Sequence, residues 1–296
     1  MDELISCKLC PHNCGVNRHL HYGRCGASDT LKIAYYGLYK WEEPIISGSN
    51  GSGAIFFSHC NLKCIFCQNK KISTDGYGKE ISIEKFRQIV LKLQECGAHN
   101  INLVTPTHYV PLFANELKLL KKNSLHIPIV YNTSSYENVH TIELLRDVVD
   151  IYLADFKYYD DKLAQSISNC RNYFNVAANA LEQMYKQVGR PIIQNNLLVK
   201  GVIVRILILP GYTDDSKKII KYVWDKYGDN VIFSLMNQYT PMDSNYDDVN
   251  LNRSLLDSEY DDVINYACDL GITRAFIQEG GTISESFIPD FNIDNI

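Results

Sequence analysis

A chain of 296 residues with a formal net charge of −5 is long enough for one large domain or two ordinary ones. Hydrophobic residues make up 46% and charged residues 21%, which fits a globular protein with a sizeable core. The acidic balance without a long basic run argues against a nucleic-acid partner. With no apolar leader and no run near the roughly 18 apolar residues of a membrane span, the chain reads as cytoplasmic.

Residues 1–50 are irregular and rich in Cys, Gly and His, apart from an apolar stretch around Leu31 to Leu38. From Gly53 onward, apolar runs alternate with helical periodicity. Ala54–Phe57 reads as a buried strand and Ile83–Cys96 as an amphipathic helix. Strand Ile101–Val104, helix Val110–Lys121, strand Ile127–Tyr131, helix Glu137–Val148 and strand Ile151–Asp155 follow. A helical stretch from Asp161 to Gln187 carries a break near Cys170. The last elements are strand Gly201–Leu209, helix Asp214–Lys226, strand Val231–Met236, helix Leu255–Leu270 and strand Arg274–Gln278. Short apolar strands alternating with helices imply βαβ units on a parallel sheet. The fold class is therefore α/β, a partial or complete (β/α) barrel, with a doubly wound open sheet as the alternative. Residues 51–296 read as the barrel domain and residues 1–50 as a Cys-rich metal-binding segment. Either architecture puts chemistry at the C-terminal ends of the strands.

Seven of the ten cysteines fall within the first 67 residues. In a chain read as intracellular, thiols grouped this way point to metal or catalysis rather than to disulfides. Residues 58–69 read SHCNLKCIFCQN, so Cys60, Cys64 and Cys67 form C-x3-C-x2-C directly after the first predicted strand. Three thiolates are one short of the four that fill an iron–sulfur cluster or a structural zinc site. A cube on three cysteines leaves one iron open to a further ligand. The alternatives are a zinc ion completed by His59 or His108, and buried free thiols. Cys7, Cys10, Cys14 and Cys25 form C-x2-C-x3-C-x10-C among Pro11, Gly15, Gly23 and Gly26. That pattern suits a closed four-thiolate site for zinc or an auxiliary cluster, with His12, His19 or His21 as substitutes for one cysteine. Cys96, Cys170 and Cys268 stand alone on predicted helices and read as core packing.

The C-x3-C-x-aromatic-C loop after the first strand resembles the signature of the radical S-adenosylmethionine (SAM) superfamily. The resemblance spans almost the whole chain, which is similar to the pyruvate formate-lyase activating enzyme group and most nearly to a poorly characterised branch of it. It is carried by EEP at residues 42–44, GSGAIFFSHCNLKCIFCQN, INLVTPTHYVP, IVYNTSSYE, DIYLADFKY, VIVRILILPGYTDDS, SLMNQYTP and the closing FIQEGG. It implies a barrel of the radical SAM type, a [4Fe-4S] cluster on Cys60, Cys64 and Cys67, and SAM chelating the open iron. The implied chemistry is that of a radical SAM oxidoreductase: SAM is cleaved reductively, and a 5′-deoxyadenosyl radical abstracts a hydrogen atom from the substrate. A low-potential donor, flavodoxin or ferredoxin, supplies the electron.

The resemblance also implies site residues. Phe66 corresponds to an aromatic that packs near the SAM adenine, and Asn69 closes the same cofactor-binding motif. Asp155 and Lys157 match a D-x-K motif near SAM, and Asn132 and Thr133 stand where the relatives carry Asp-Thr. Arg205, in the shared V-R stretch, is implied as a planar fork for the SAM carboxylate. Where activating enzymes carry Gly-Gly-Glu after the second strand, this chain reads VTPTHYVP. Thr105 and Thr107 hydroxyls or backbone carbonyls would then meet the SAM amino group, and His108 is a candidate acid–base residue. Strand-end ion pairs and loop hydrogen bonds are the competing reading of these polar residues. The implied activity is activation of a separate glycyl radical enzyme. Radical modification of a small metabolite or peptide, and a non-catalytic zinc or iron–sulfur module, are the alternatives.

Overall fold

The computed structural model of the chain describes residues 2–242, 246–278 and 288–296. Its strands are β1 Leu31–Tyr39, β2 Ser52–Phe57, β3 Lys79–Ile81, β4 Ile101–Val104, β5 Ile129–Thr133 and β6 Ile151–Asp155. A further four are β7 Ile192–Gln194, β8 Leu197–Leu207, β9 Ile232–Met236 and β10 Ala275–Ile277. The sheet order is β10-β9-β8-β6-β5-β4-β2-β1-β3, with β7 paired to β8 as a hairpin. From β2 to β10 the pairing along this path is parallel. These strands follow one another in chain order, so every crossover steps the same way and the helices share one face. A doubly wound sheet would reverse direction midway. Because β3 and β10 end the order, the architecture is a partial (β/α) barrel. Among the described residues no helix is long and apolar enough to cross a membrane.

Strand chemistry explains the two cores. β2 and β9 are buried at every position, as expected for parallel strands covered on both faces. Successive side chains then alternate between layers. Ile129 and Tyr131, Tyr152 and Ala154, Val202 and Val204, and Phe233 join the large core beneath the helices. Their neighbours Val130, Ile151, Leu153, Ile203 and Ile232 point the other way and form a smaller apolar plug with Ile46. That plug fills the barrel interior below the strand ends.

The helices Ile83–Glu95, Val110–Asn123, Thr213–Tyr227 and Asp257–Asp269 fall within two or three residues of their expected bounds. The stretch after β6 divides into Asp161–Ser168 and Tyr173–Val188, and the break takes in Cys170. Two elements differ. The helix expected over Glu137–Val148 is only Val139–Glu143, followed by turns. Glu137 is drawn instead into hydrogen bonds with Thr107, Tyr131 and Thr133, and Asp147 adopts φ 64°, which no helix accommodates. Within the first fifty residues, β1 pairs antiparallel with β2 and with β3, so the sheet extends into the Cys-rich segment.

Candidate active site

The alternation that builds the apolar plug also builds the site above it. Asn132, Asp155, Arg205 and Ser234 each lie two residues beyond a plug residue of the same strand, so they face inward at the C-terminal ends. All four line a cavity of about 470 Å³ at those ends, together with Cys60, Cys64, Cys67, Asn69, Thr105, Thr133, Ser134 and Lys157. Asp155 and Arg205 are direct partners in the β6–β8 register.

The loop after β2 is held by its backbone. The Ser58 N–H donates to Lys32 O at 2.9 Å, His59 N–H to Ile72 O at 2.8 Å, and Ile65 N–H to Ile167 O at 2.9 Å. His59, two residues beyond β2, and Thr105, directly after β4, adopt left-handed φ values of 72° and 57°. Such backbone costs roughly 1 kcal/mol or more for a non-glycine residue and is concentrated at functional sites. Gly26, at φ 96°, lets the N-terminal segment run against His59, where a Cβ would stand 2.6 Å from the imidazole Nδ1.

Donors surround the three sulfurs. Ser168 Oγ donates to Cys64 Sγ at 2.9 Å, and Tyr158 hydrogen bonds to Ser168 behind it. Ser73 Oγ lies 3.3 Å from Cys67 Sγ, and the Leu62 N–H points at Cys60 Sγ. Burial pushes the Cys60 and Cys64 thiols up, and at Cys64 the Lys157 ammonium opposes that rise in part. Lys157 Nζ sits 2.7 Å from Asp155 Oδ2. Burial works against its charge, yet Asp155 and the Cys64 and Cys67 sulfurs together hold it above the ordinary lysine range. The cavity thus offers three sulfurs, an obligate cation and several carboxylates. Among the described residues, no three His, Cys, Asp or Glu side chains close on a single point as a mononuclear ion requires.

Four candidates are placed differently from expectation. Arg205 lines the cavity, but its fork is already engaged: Nε donates to Glu43 Oε1 at 2.8 Å, and Nη2 to Glu43 Oε2 at 2.6 Å and to Glu42. The EEP segment delivers these carboxylates at the start of the short helix Pro44–Ser47. Glu42 Oε1 also accepts from Asn102 at 2.7 Å and from Asn132 at 3.3 Å. Phe66 is buried against Tyr239, ring centroids 5.6 Å apart, and is not on the cavity wall. Thr107 is buried and donates to Glu137 at 2.6 Å, and Thr133 donates to the same oxygen at 2.6 Å from the cavity side. Burial raises the Glu137 carboxyl to about 7 despite these hydrogen bonds. His108 is also buried and off the cavity wall, with Nε2 2.8 Å from Ser58 O and burial lowering its pKa to about 3. The ring braces the loop backbone through Nε2, while its Nδ1 is buried without a hydrogen-bond partner. Glu42, Glu43, Ser134 and Ser168 carried no role in the sequence reading. Two adjacent carboxylates before Pro44 and an apolar pair were the available signal. Of the closing FIQEGG stretch, residues 279–281 lie outside the described residues.

Residues 54–223 match the family model of the radical SAM superfamily. An uncharacterized protein of Methanocaldococcus jannaschii is 32% identical over 276 residues, covering 88% of this chain and 74% of that protein. The pyruvate formate-lyase-activating enzyme of Clostridium pasteurianum is 25% identical over 228 residues, covering 73% of this chain and 87% of the enzyme. Among solved structures, Streptococcus suis SuiB bound to precursor peptide SuiA superposes with a TM-score of 0.51 at 14% identity, over 75% of this chain and 46% of SuiB. HydG, a maturase of the [FeFe]-hydrogenase, superposes with a TM-score of 0.50 at 13% identity, over 73% of this chain and 48% of HydG. The match spans under half of either solved chain, and at these identities the likeness concerns the fold.

Proposed function

Because the chain belongs to the radical SAM superfamily, whose members use a [4Fe-4S] cluster and SAM, we propose that it activates a glycyl radical enzyme. Cys60, Cys64 and Cys67 would hold the cluster, which when bound supplies the electron that cleaves SAM to methionine and a 5′-deoxyadenosyl radical. The observation that carries this reading is the meeting of those three thiols with Asp155 and Lys157 in one cavity at the strand ends.

The donor set fits the group. Three soft thiols leave a cluster one open corner, and the Lys157 cation offsets the charge that their deprotonation adds. Asn69 Oδ1 and Ser134 Oγ belong to cavity residues and are buried without a hydrogen-bond partner, as groups awaiting a polar ligand would be. Asp155 and Lys157 present a carboxylate and an ammonium to the zwitterionic methionyl end of SAM. Asn132, Thr105 and Ser134 provide further hydrogen bonds. Arg205 acts through Glu42 and Glu43, holding those carboxylates in place rather than meeting SAM itself. Leu62, Ile72 and Met236 supply apolar wall that excludes water.

The glycyl radical assignment draws on the similarity to the Clostridium pasteurianum activating enzyme. Its test is anaerobic: reconstituted protein, dithionite, SAM and a candidate glycyl radical enzyme, read by chromatography and electron paramagnetic resonance. Release of 5′-deoxyadenosine together with a glycyl doublet on the partner is expected. Cleavage without a doublet on any such partner would sink the activation reading in favour of a peptide or metabolite substrate. An intact cluster that releases no 5′-deoxyadenosine would remove both.

A further inference from the structure

The segment before β1 contains no helix or strand among the described residues, yet its chain is closely folded. Cys7 N–H donates to Val16 O at 3.0 Å, Gly15 N–H to Cys7 O at 2.9 Å, and Gly26 N–H to Gly23 O at 2.8 Å. Its own buried apolar set is small, comprising Leu4, Cys7, Leu9 and Ala27. So little burial does not offset the ordering of so long an irregular segment, and small units of this kind are generally held by a metal or by disulfides. Its cysteines are free thiols.

Cys7 and Cys14 share one small packed cluster, with the Cys14 thiol 3.9 Å from Cys7 O. Cys10 lies within electrostatic reach of Cys7 and Cys25, and Cys25 within reach of Cys7 and Cys14. The backbone is directed at the sulfurs. The His12 N–H points at Cys10 Sγ, the Val16 and Arg24 N–H groups at Cys14 Sγ, and the Ala27 N–H at Cys25 Sγ. At Cys10, Cys14 and Cys25 one donor comes from two residues further on, the relation Leu62 bears to Cys60. Gly23 leaves room for the group, since a Cβ there would stand 3.4 Å from Cys25 Sγ. Two of the nearby imidazoles are engaged elsewhere: His12 Nε2 is 2.8 Å from Asn61 O, and His19 bridges Asp2 and Asp29 at 2.7 Å each, while His21 is exposed.

We infer that Cys7, Cys10, Cys14 and Cys25 form a second, closed metal site, in which four thiolates hold zinc or an iron–sulfur cluster. No three of these side chains yet close on a point, so binding includes rotation of thiols onto the metal. The filled donor set leaves no open position, and the site's work is to hold the segment against the barrel. His12 connects it to the first cysteine loop, because its N–H faces Cys10 while its ring meets the carbonyl of Asn61, next to Cys60. This inference does not rest on the glycyl radical reading.

The test is elemental analysis of protein purified without oxygen, in which Cys60, Cys64 and Cys67 are all replaced by Ala. That variant is expected to retain about one zinc, or about four irons if the group is a cluster, per chain. Adding Cys10→Ser and Cys25→Ser should remove it. A second readout guards against misfolding. In the unaltered chain, iodoacetamide should label Cys96 and Cys268, which are exposed rather than packed in the core as expected, at once, and Cys7, Cys10, Cys14 and Cys25 only after a chelator is added. Retained zinc assigns a structural ion, and retained iron assigns an auxiliary cluster. A triple-Ala variant with neither metal, or labelling of the four cysteines that a chelator does not accelerate, overturns the inference.

Discussion

Cys64→Ala is expected to abolish SAM cleavage, whereas Cys170→Ala should leave the rate within a few-fold of the parent enzyme. Both thiols are near the same helix, so their contrast tests position rather than chemistry. Cys64 Sγ lines the cavity, accepts the Ser168 hydroxyl and faces the Lys157 ammonium. Cys170 is buried in the core and directs its thiol at Ala164 O, 3.4 Å away. Truncating it removes one sulfur from a packed interior, a loss on the order of 1–2 kcal/mol in folding and none in ligation. Release of 5′-deoxyadenosine by the two variants under identical anaerobic conditions decides the matter. Equal losses from both would show that the thiols have been assigned wrongly.

Arg205→Met is expected to destabilise the protein by about 3–5 kcal/mol at neutral pH, because it strands two buried carboxylates. Side-chain exposure is 12% at Arg205 and 6% at both Glu42 and Glu43, so the triad belongs with buried ion pairs rather than screened surface ones. Burial alone would raise the Glu43 carboxyl, but Arg205 outweighs burial and holds it below its ordinary value. Burial likewise opposes the Arg205 charge, and Glu42 with Glu43 more than compensates. A carboxylate whose folded pKa is depressed stabilises the fold above its unfolded pKa, about 4.3, and loses that contribution as pH falls through the folded value. In the Met variant the Glu43 carboxyl, no longer held down by the guanidinium, protonates more readily, which relieves the unpaired charge. The stability gap between the two proteins, read by urea unfolding, should therefore narrow as pH drops below about 5. A gap that stays constant with pH, or one under about 1 kcal/mol at neutral pH, would mean that the triad does not carry this load.

The parallel sheet was legible because its strands are short apolar runs between periodic helices, and β4 and β6 fall at their expected bounds. β1 was less so: its apolar stretch stood out, but nothing local disclosed that its partner would be β2. The β7–β8 hairpin had a signal that went unread, for Asn195 and Asn196 adopt φ 52° and 63°, as the two central residues of a primed hairpin turn do. That Cys60, Cys64 and Cys67 lie near one another was legible in their spacing, and Asn132, Asp155 and Lys157, implied by the resemblance, line the same cavity because all three stand at or just past strand ends. The engagement of Arg205 could not be found that way, since its partners lie more than 160 positions earlier. His108 and Thr107 shared a strand-end sequence with Thr105, yet they enter the turn of helix Thr107–Tyr109 and point into the core. Two positions along the chain separate the cavity wall at Thr105 from the interior contact at Thr107.

The most direct measurement is electron paramagnetic resonance of the reconstituted, dithionite-reduced protein, recorded with and without SAM. The account requires a [4Fe-4S] signal that SAM perturbs and that disappears when Cys60, Cys64 and Cys67 are replaced by Ala. If instead that loop holds a zinc ion, and no cluster signal depends on those three residues, the cavity has no source of electrons for SAM cleavage.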